Sequence, residues 1–386
     1  FLIPFALISI PSFLALFYGL ITLLFYLFNP KNILSAFFSF SVFFGIVEFI
    51  RGVILTGFPW NLIIYSFSKN LNFISILSVI GTYSLNLIAI SLFTAPAIYI
   101  LRKSKKEIGV CIFLLLLPII FFIHGNFQKK QFENKEVEKF PYKIRIIGSN
   151  ISLERFNNKI DTEEVIRELI SISSPVSNEK TFFVWPEGII PDTYLNEISL
   201  YTDIFNKSFS ENHLLGLGIT KKDSENNENK FYNSFSIFDN KLNLIESYSK
   251  IKLVPFGEFL PFEKILNGLG LKTITNNFGS FTRGSERDII EIDNSFLKNL
   301  KFLPLICYEI IYSGNLTKNR NFNLIINISE DGWFGESIGP KQHFVHSIYR
   351  AIETGKYILR SSNNGMAAII NPLGEIEKYV EYGNSG

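Results

Sequence analysis

Three residues of reactive type each stand at the end of a predicted strand. Glu187 ends "TFFVWPE", Lys250 ends "KLNLIESYSK" and Cys307 ends "LKFLPLIC". A carboxylate at the carboxyl edge of an α/β sheet lies where ligands bind in such folds. A lysine held near a carboxylate in an apolar loop keeps its charge and can bind a developing oxyanion. We predict a helix from Tyr308, whose N-terminus would lower the pKa of the cysteine thiol and offer it backbone N–H groups.

Each of these residues also has an ordinary explanation when it is taken alone. A glutamate past a strand end often reaches solvent, a lysine often lies on the surface, and a lone buried cysteine is usually inert packing. The hypothesis of a reactive site therefore depends on whether the carboxyl, the ammonium and the thiol converge in space.

The chain beyond residue 142 alternates short apolar runs with amphipathic segments, which predicts a layered α/β domain. Helices are predicted from Asp161 to Ser171 and near Glu197 to Ser210, and a hairpin turns at Asp239 and Asn240. The predicted strands are "KIRIIGS", "TFFVWPE", "HLLGLGIT", "FYNSFSIFD", "KLNLIESYSK", "LKFLPLIC", "NLIINIS", "KYILRSS" and "GMAAIINP".

The first third of the chain is predicted to cross a membrane, since a span takes about 20 apolar residues. The predicted spans are Leu2 to Phe28, Ile33 to Leu55, Leu71 to Leu101 and Ile108 to Ile123. We therefore divide the chain into membrane helices at 1–125, a linker at 126–142 and a catalytic domain at 143–386. The basic loop "LRKSKKE" should be cytoplasmic. The "TGFPW" loop and everything from His124 onward then lie on the opposite side, which in a bacterium is periplasmic.

The membrane region contains one charged pair and one aromatic loop of interest. Glu48 and Arg51 are three residues apart, so they share a helix face. They form either an ion pair at the membrane interface or part of a lipid-binding cleft, because charges near lipid are costly and usually paired or functional. Pro59 and Trp60 are predicted to lie at the interface as anchors.

Composition and motifs exclude several other functions. A net charge of +2 gives no clustered basic face for nucleic acid. Two cysteines, one of them in an apolar span, do not suggest a disulfide framework. His343 and His346 share a helix face and are predicted to be surface residues. No metal-binding pattern and no glycine-rich phosphate loop occurs, so we expect no metal and no cofactor.

The three strand-end motifs, "WPE", "YSKIKLVPFGE" and "ICYE", resemble those of the nitrilase (carbon–nitrogen hydrolase) superfamily. The resemblance implies an αββα sandwich in which Glu187 is the general base, Lys250 stabilises the tetrahedral oxyanion and Cys307 is the nucleophile. It also implies that Glu258 supports Lys250. The expected fold is therefore a membrane α-helical bundle followed by an α/β nitrilase-like αββα sandwich domain.

Four further stretches make the resemblance more specific: "EFIRGVILTGFPW", "LVPFGEFLPF", "DGWFGESIGPKQH" and "RAIETGKYILRSSNNG". From Glu48 to Gly374 the sequence is similar to the apolipoprotein N-acyltransferase family. That family has Trp where this chain has Phe156, and Asn where it has Glu330. It also has further membrane spans at both ends, so we expect this sequence to be a fragment of a longer chain.

The resemblance implies transfer of a fatty acyl chain from a membrane phospholipid to the N-terminal amine of a diacylated lipoprotein cysteine. The expected partners are a phospholipid donor, an apolipoprotein acceptor and the lipid bilayer. The expected enzyme is a monomer in the bacterial inner membrane with a periplasmic catalytic domain. A Cys307 thioester would divide the reaction into two steps.

Supporting roles follow from that mechanism. The Tyr308 backbone N–H would hold the oxyanion together with Lys250. Glu309 would position Glu187 or Lys250, or else cap the new helix. Trp333 and Phe334 would shield the thioester from water.

Two rival functions stay open at this point. A membrane-tethered nitrilase-type amidase would use the same three residues to hydrolyse a small amide. A lipid-binding scaffold without catalysis would not need Cys307. A transporter is disfavoured, because the few charges in the spans form no evident pathway.

Overall fold

The computed structural model describes residues 3–135, 140–157, 160–225, 228–261, 280–292, 299–314 and 316–386. These residues form two compact units. The helical unit contains the chain up to Lys135 together with Tyr312–Gly314 and Ile352–Thr354. The sandwich unit contains the rest of the described chain.

The helical unit is built from long apolar helices. Its helices are α1 (Ile3–Phe28), α2 (Ile33–Val53), α3 (Leu71–Ile74), α4 (Leu77–Leu101) and α5 (Lys105–Glu133). A 3₁₀ turn, Ile63–Phe67, precedes α3. Within the described residues, α1, α2, α4 and α5 are long and apolar enough to cross a membrane. Their large apolar side chains are extensively exposed, as expected of a surface that faces lipid. The prediction of four apolar helices of membrane-spanning length is confirmed.

The boundaries of two spans differ from the prediction. The third span is interrupted, since α3 ends at Ile74 and Gly81 has a φ of 75° inside α4. This left-handed residue breaks the helical hydrogen-bond ladder, and the Thr82 N–H donates instead to Glu353 Oε1 at 3.2 Å.

The fourth span continues beyond its predicted end. A capping box of Ser104 and Glu107 starts α5, and the helix continues to Glu133 because nothing after Ile123 breaks it. The first part of the predicted linker is therefore helical. Its residues 136–139 lie outside the described chain.

The sandwich unit contains two sheets. The first has the order β1-β3-β4-β5-β6. Its strands are β1 (Lys143–Ile146), β3 (Thr181–Val184), β4 (His213–Glu225), β5 (Glu228–Asp239) and β6 (Leu244–Ser249). Strands β1, β3 and β4 are parallel, whereas β5 and β6 add antiparallel. Glu187 and Lys250 therefore follow two strands of the same sheet.

The second sheet has the order β12-β11-β10-β9-β8-β7, and β2 (Gly148–Ser149) also pairs with β10. Its other strands are β7 (Ile290–Ile292), β8 (Leu300–Ile306), β9 (Leu324–Glu330), β10 (Tyr357–Asn363), β11 (Ala367–Ile370) and β12 (Ile376–Val380). Strands β8, β9 and β10 are parallel, and Cys307 follows β8. The prediction did not include β7 or β12.

The two sheets pack face to face through aromatic side chains. Phe302 of the second sheet lies 6.2 Å from Phe182 and 6.1 Å from Phe235 of the first, between ring centroids. Helices α6 (Thr162–Ser173) and α7 (Thr202–Ser208) pack on the first sheet through a buried apolar cluster. Helix α8 (Gly339–Thr354) connects the parallel strands β9 and β10. The predicted layered α/β architecture is confirmed.

Candidate active site

Glu187 is held at the end of β3 by a tight passage of the backbone. The strand ends at Val184, and Gly188 adopts a φ of 52° directly after the glutamate. A Cβ at Gly218 of the neighbouring strand would lie 2.5 Å from Glu187 Cα, so only glycine permits this approach. The Glu187 side chain is buried, and its Oε2 accepts a hydrogen bond of 3.0 Å from the Glu330 backbone N–H.

Lys250 follows β6 and bonds to two carboxylates. Its Nζ donates to Glu187 Oε1 at 3.0 Å and to Glu258 Oε1 at 2.9 Å, and only 1% of the residue is exposed. Burial disfavours the ammonium, but the negative charges of Glu187 and Glu258 outweigh it and raise the pKa of Lys250 well above its ordinary value. The lysine is therefore a permanent cation at neutral pH.

Glu258 completes this charged cluster. Its Oε2 accepts a 2.8 Å hydrogen bond from the Val254 backbone N–H. Burial and the neighbouring charge of Glu187 raise the pKa of Glu258, and Lys250 opposes that shift. The resemblance implied that Glu258 supports Lys250, and the geometry provides the contact that such a role requires.

Cys307 is in a different environment from the one that the sequence predicted. It begins a five-residue 3₁₀ turn, Cys307–Ile311, and not an α-helix. Its φ of 47° lies in the left-handed region, which costs a non-glycine residue about 1–3 kcal/mol. The imidazole Nε2 of His343 lies 3.2 Å from the Cys307 carbonyl oxygen. A donated N–H there would help to hold this backbone.

The thiol pKa is raised, which corrects the predicted lowering. Burial is the main cause, and the negative charge of Glu187 adds to it, whereas Lys250 acts in the opposite direction. The short turn provides too little helix dipole to offset the loss of solvent.

Glu309 fixes the loop that carries Lys250. Its carboxylate is fully buried, and the groups that donate to it are Tyr248 Oη, Arg287 Nη2 and the backbone N–H groups of Ile251, Lys252 and Ile306. Burial opposes the charged form, but Arg287 and the backbone donors lower the pKa of Glu309. Among the roles that the sequence left open, these contacts favour the positioning of Lys250 through its neighbours.

Several residues around the site were missed or misplaced by the sequence interpretation. His343 and His346, predicted on a helix surface, are 0% and 1% exposed. The His343 ring lies 2.8 Å from Asp331 Oδ1 through its Nδ1, and Arg360 Nη2 donates to Asp331 Oδ2 at 2.8 Å. Arg155 forms a buried ion pair with Glu330. Charged residues next to strand ends were the available signal, but sequence alone does not show which of them are buried.

Trp333, one of the two aromatic residues predicted to shield the site, forms a stacked pair with Phe156, to which the prediction gave no such role. Trp333 is 46% exposed and stacks on Phe156, with ring centroids 5.4 Å apart and planes 17° from parallel. The Phe156 ring lies 3.9 Å from the position of a Cβ at Gly188, directly after Glu187. Tyr308 is buried, with 8% of its surface exposed. The shielding of a thioester from water by Trp333 and Phe334 stays a prediction.

The predicted membrane residues belong to the helical unit. Glu48 and Arg51 are both buried there, with Arg51 Nη2 3.4 Å from Glu48 Oε1. Arg51 also donates to Asn61 Oδ1 at 2.5 Å. Asn86 donates to Glu48 and accepts from the Ile64 N–H at 3.0 Å. These contacts join α2 to α4 and to the 3₁₀ turn.

The loop that follows α2 contains Pro59 and Trp60. Pro59 is buried, and the Trp60 ring is half-buried and stacks on Phe58 with 6.3 Å between centroids. The predicted roles of both residues at the interface remain predictions. Among the residues that the structure describes, no group of His, Cys, Asp and Glu side chains could hold a metal ion.

Comparison with known families covers both parts of the chain. The profile of the carbon–nitrogen hydrolase family matches residues 163–383. The profile of the apolipoprotein N-acyltransferase N-terminal domain matches residues 1–95. An amidase from Nesterenkonia sp. is 12% identical, with a TM-score of 0.43 over 65% of this chain and 89% of the amidase. A branch 10 nitrilase-superfamily protein of Saccharomyces cerevisiae is 16% identical, with a TM-score of 0.42 over 65% of this chain and 89% of its own.

Relatives that match along nearly the whole of this chain belong to the same family. An apolipoprotein N-acyltransferase of Brucella melitensis biotype 1 is 31% identical, over 97% of this chain and 70% of the relative. One from Rhizobium leguminosarum bv. trifolii is 29% identical over the same shares. The nitrilase-like fold and the acyltransferase class that the sequence predicted are confirmed. The chain belongs to the apolipoprotein N-acyltransferase family.

Proposed function

We propose that this chain transfers a fatty acyl group from a membrane phospholipid to the N-terminal amine of a diacylated lipoprotein cysteine, through a thioester on Cys307. One observation carries the proposal. Glu187, Lys250 and Glu258 form a buried cluster of ion pairs, and the charges of Glu187 and Lys250 act in opposite directions on the pKa of the Cys307 thiol.

In the first step, Glu187 takes the thiol proton as the sulfur attacks the ester carbonyl of the phospholipid. The raised thiol pKa keeps the sulfur protonated until the substrate is present, so proton transfer and attack are coupled. Lys250 has three N–H donors, two of which bind carboxylates. The third is directed to the oxyanion, where one donor contributes about 3 kcal/mol. The Tyr308 backbone N–H is the second proposed donor.

The tetrahedral intermediate then collapses. The carbon–oxygen bond of the ester breaks, the lysophospholipid leaves as an alcohol with the proton from Glu187, and the acyl group stays on Cys307. The carboxylate of Glu187 is thereby regenerated.

In the second step, the α-amine of the lipoprotein attacks the thioester. Only the neutral form of an α-amine can attack. Its reference pKa is about 8, so about half of the amine is in this form near that pH. Glu187 removes the proton that the nitrogen must lose and returns it to the departing thiolate. An amide forms, the thioester breaks, and the enzyme returns to its starting state.

The test is to trap the thioester on the full chain in mixed detergent and phospholipid micelles. Intact-mass spectrometry should show one added acyl group, which disappears when a lipopeptide with a free N-terminal amine is added and appears on that peptide. Cys307→Ala should give no adduct. Cys111→Ala is the matched control, since Cys111 is the only other cysteine, and it should acylate normally.

The rival functions give different results in the same experiment. Rapid loss of the adduct to free fatty acid without any amine would indicate a hydrolase, the function of the membrane-tethered amidase. An N-acetylated lipopeptide should not discharge the thioester. No adduct under any condition would leave a lipid-binding scaffold as the better explanation, and the transferase proposal would fail.

We also propose that the sandwich unit lies on the periplasmic side of the inner membrane. The support is the basic loop from Leu101 to Glu107, which the positive-inside rule places in the cytoplasm. Alkaline phosphatase fused after Gly386 becomes active only where its disulfides form, as in the periplasm. An active fusion is expected, and an inactive but stable one would reverse the orientation.

A further inference from the structure

Asn233 lies between the two carboxylates that flank Lys250. It is on β5, and its carbonyl oxygen accepts a 2.8 Å hydrogen bond from the Lys250 backbone N–H. Its side-chain Nδ2 donates to Glu187 Oε1 at 2.7 Å and to Glu258 Oε1 at 2.7 Å. The Lys250 ammonium donates to the same two oxygen atoms. Two nitrogen atoms and two oxygen atoms thus alternate in a closed ring.

The ring uses the donors of Asn233 completely. A primary amide has two N–H groups, and here one goes to each carboxylate. The remaining oxygen of each carboxylate is bound by a backbone N–H, from Glu330 for Glu187 and from Val254 for Glu258. All four carboxylate oxygen atoms therefore have donors, as buried charged groups require.

The choice of a neutral residue has an electrostatic reason. Two buried carboxylates facing one ammonium carry a net negative charge, and like charges repel strongly in a dry site. A second cation would neutralise the cluster and compete with Lys250 for the carboxylates. An amide instead donates to both carboxylates and adds no charge.

We propose that Asn233 is a positioning residue that holds Glu187 and Glu258 on opposite sides of the Lys250 ammonium. This inference rests on the proposed function for the roles of Glu187 and Lys250. By occupying one side of both carboxylates, the amide limits Lys250 to a single N–H toward each of them. The third N–H of the ammonium is then directed away from the ring, toward the thiol side of the site.

The inference predicts a change in how the site responds to pH. Two or three donated N–H bonds lower a carboxyl pKa by about two units, so removal of one should raise it by about one unit. The ionisable groups that face this ring are Glu187, Lys250, Glu258 and the Cys307 thiol, with Glu309 beyond Lys250 and Asp331 beyond Cys307.

The experiment measures alkylation of Cys307 by iodoacetamide as a function of pH, on the full chain in a Cys111→Ala background. This readout does not need acyl transfer. Asn233→Leu removes both donors at similar side-chain volume. We expect the acid limb of the plot of alkylation rate against pH to shift by about one unit toward higher pH. Asn233→Asp keeps the shape but adds a third carboxylate, and its shift should be larger. Asn229→Asp, on the exposed end of the same strand, is the matched control and should not shift the profile.

Two results would overturn the inference. Wild-type profiles in both Asn233 variants would show that the amide does not affect the cluster. A rate reduced equally at every pH, without a shift, would reduce Asn233 to a purely structural residue. Failure of the acyl-transfer proposal is distinguishable, since in that case the alkylation profile still shifts while no acyl adduct forms from phospholipid.

Discussion

Replacing Glu309 with alanine is expected to destabilise the sandwich unit strongly. The carboxylate is fully buried and pairs with Arg287, whose Nη2 lies 2.5 Å from Glu309 Oε1. Removing one partner of a buried ion pair costs about 3–5 kcal/mol, because the other charge is left without compensation. The backbone N–H groups of Ile251 and Lys252 would also lose their acceptor. We expect the free energy of unfolding to fall by about 4 kcal/mol.

The assay is unfolding of the full chain in detergent by urea and by heat, with tryptophan fluorescence as the readout. In the thermal measurement, for a domain of this size, about 4 kcal/mol corresponds to a fall in melting temperature of roughly 10 °C. Glu246→Gln is the control, since Glu246 is an exposed residue of the strand that precedes Lys250. Glu309→Gln should lower the free energy of unfolding less than Glu309→Ala does, because the amide oxygen still accepts hydrogen bonds.

The same variant should separate stability from chemistry. Below its melting temperature, Glu309→Ala should acylate Cys307 more slowly, because the loop after Lys250 is no longer fixed. If Glu309→Ala lowered the free energy of unfolding by less than about 1 kcal/mol, as expected for an exposed ion pair, the argument that this carboxylate anchors the loop would be refuted.

Three further predictions concern the buried charges and the aromatic pair. Arg360 and His343 lower the pKa of Asp331 against the opposing effect of burial, so its contribution to stability is present above the unfolded value of about 3.9 and is lost as pH falls toward the folded value. The urea concentration at the unfolding midpoint should therefore fall less between pH 5 and pH 3 for Asp331→Asn than for the unchanged chain. Arg155→Met should cost about 3–5 kcal/mol because it leaves Glu330 unpaired, and Arg155→Met with Glu330→Met should recover most of that loss. Trp333→Ala should shorten the life of acyl-Cys307 in buffer without amine by about 2- to 10-fold, the equivalent of a stacking energy of about 0.5–1.5 kcal/mol.

Each of these has a control and a contrary result. Asp203→Asn, on the exposed side of α7, should leave the acid unfolding curve unchanged, and an equal effect of both variants would contradict the role of Asp331. A double Met variant no more stable than Arg155→Met would show that pairing is not the reason. Tyr379→Ala removes an aromatic ring that is 57% exposed, and equal shortening of the thioester life there would deny Trp333 a shielding role.

The sequence was sufficient for the parts of the fold that depend on local pattern. The long apolar segments and the alternating strands are visible in hydropathy, and strand ends show where Glu187, Lys250 and Cys307 lie. The break at Gly81 could not be predicted, because glycine in an apolar helix is compatible with either conformation. Nor could the burial of His343, whose partners come from sequence positions far apart.

The thiol pKa shows why the chemistry of the site was harder to predict. A helix N-terminus and full burial change a thiol pKa in opposite directions, and their balance depends on the length of the helix and on solvent access. In this chain the turn that starts at Cys307 is short and the residue is buried, with 8% of its surface exposed. The local pattern indicated the first effect, whereas the second depends on the packing of two sheets.

The three residues proposed as catalytic come from separate layers of the sandwich: Glu187 and Lys250 follow strands of one sheet, and Cys307 follows a strand of the other. The proposed reaction therefore depends on how the two sheets are aligned. A slip of about 1 Å between them can cost about 100-fold in rate, while each sheet keeps its own hydrogen bonds. Inactive variants that are fully folded by circular dichroism should accordingly be found at the aromatic contacts of Phe302 with Phe182 and Phe235, which involve none of the three residues proposed as catalytic.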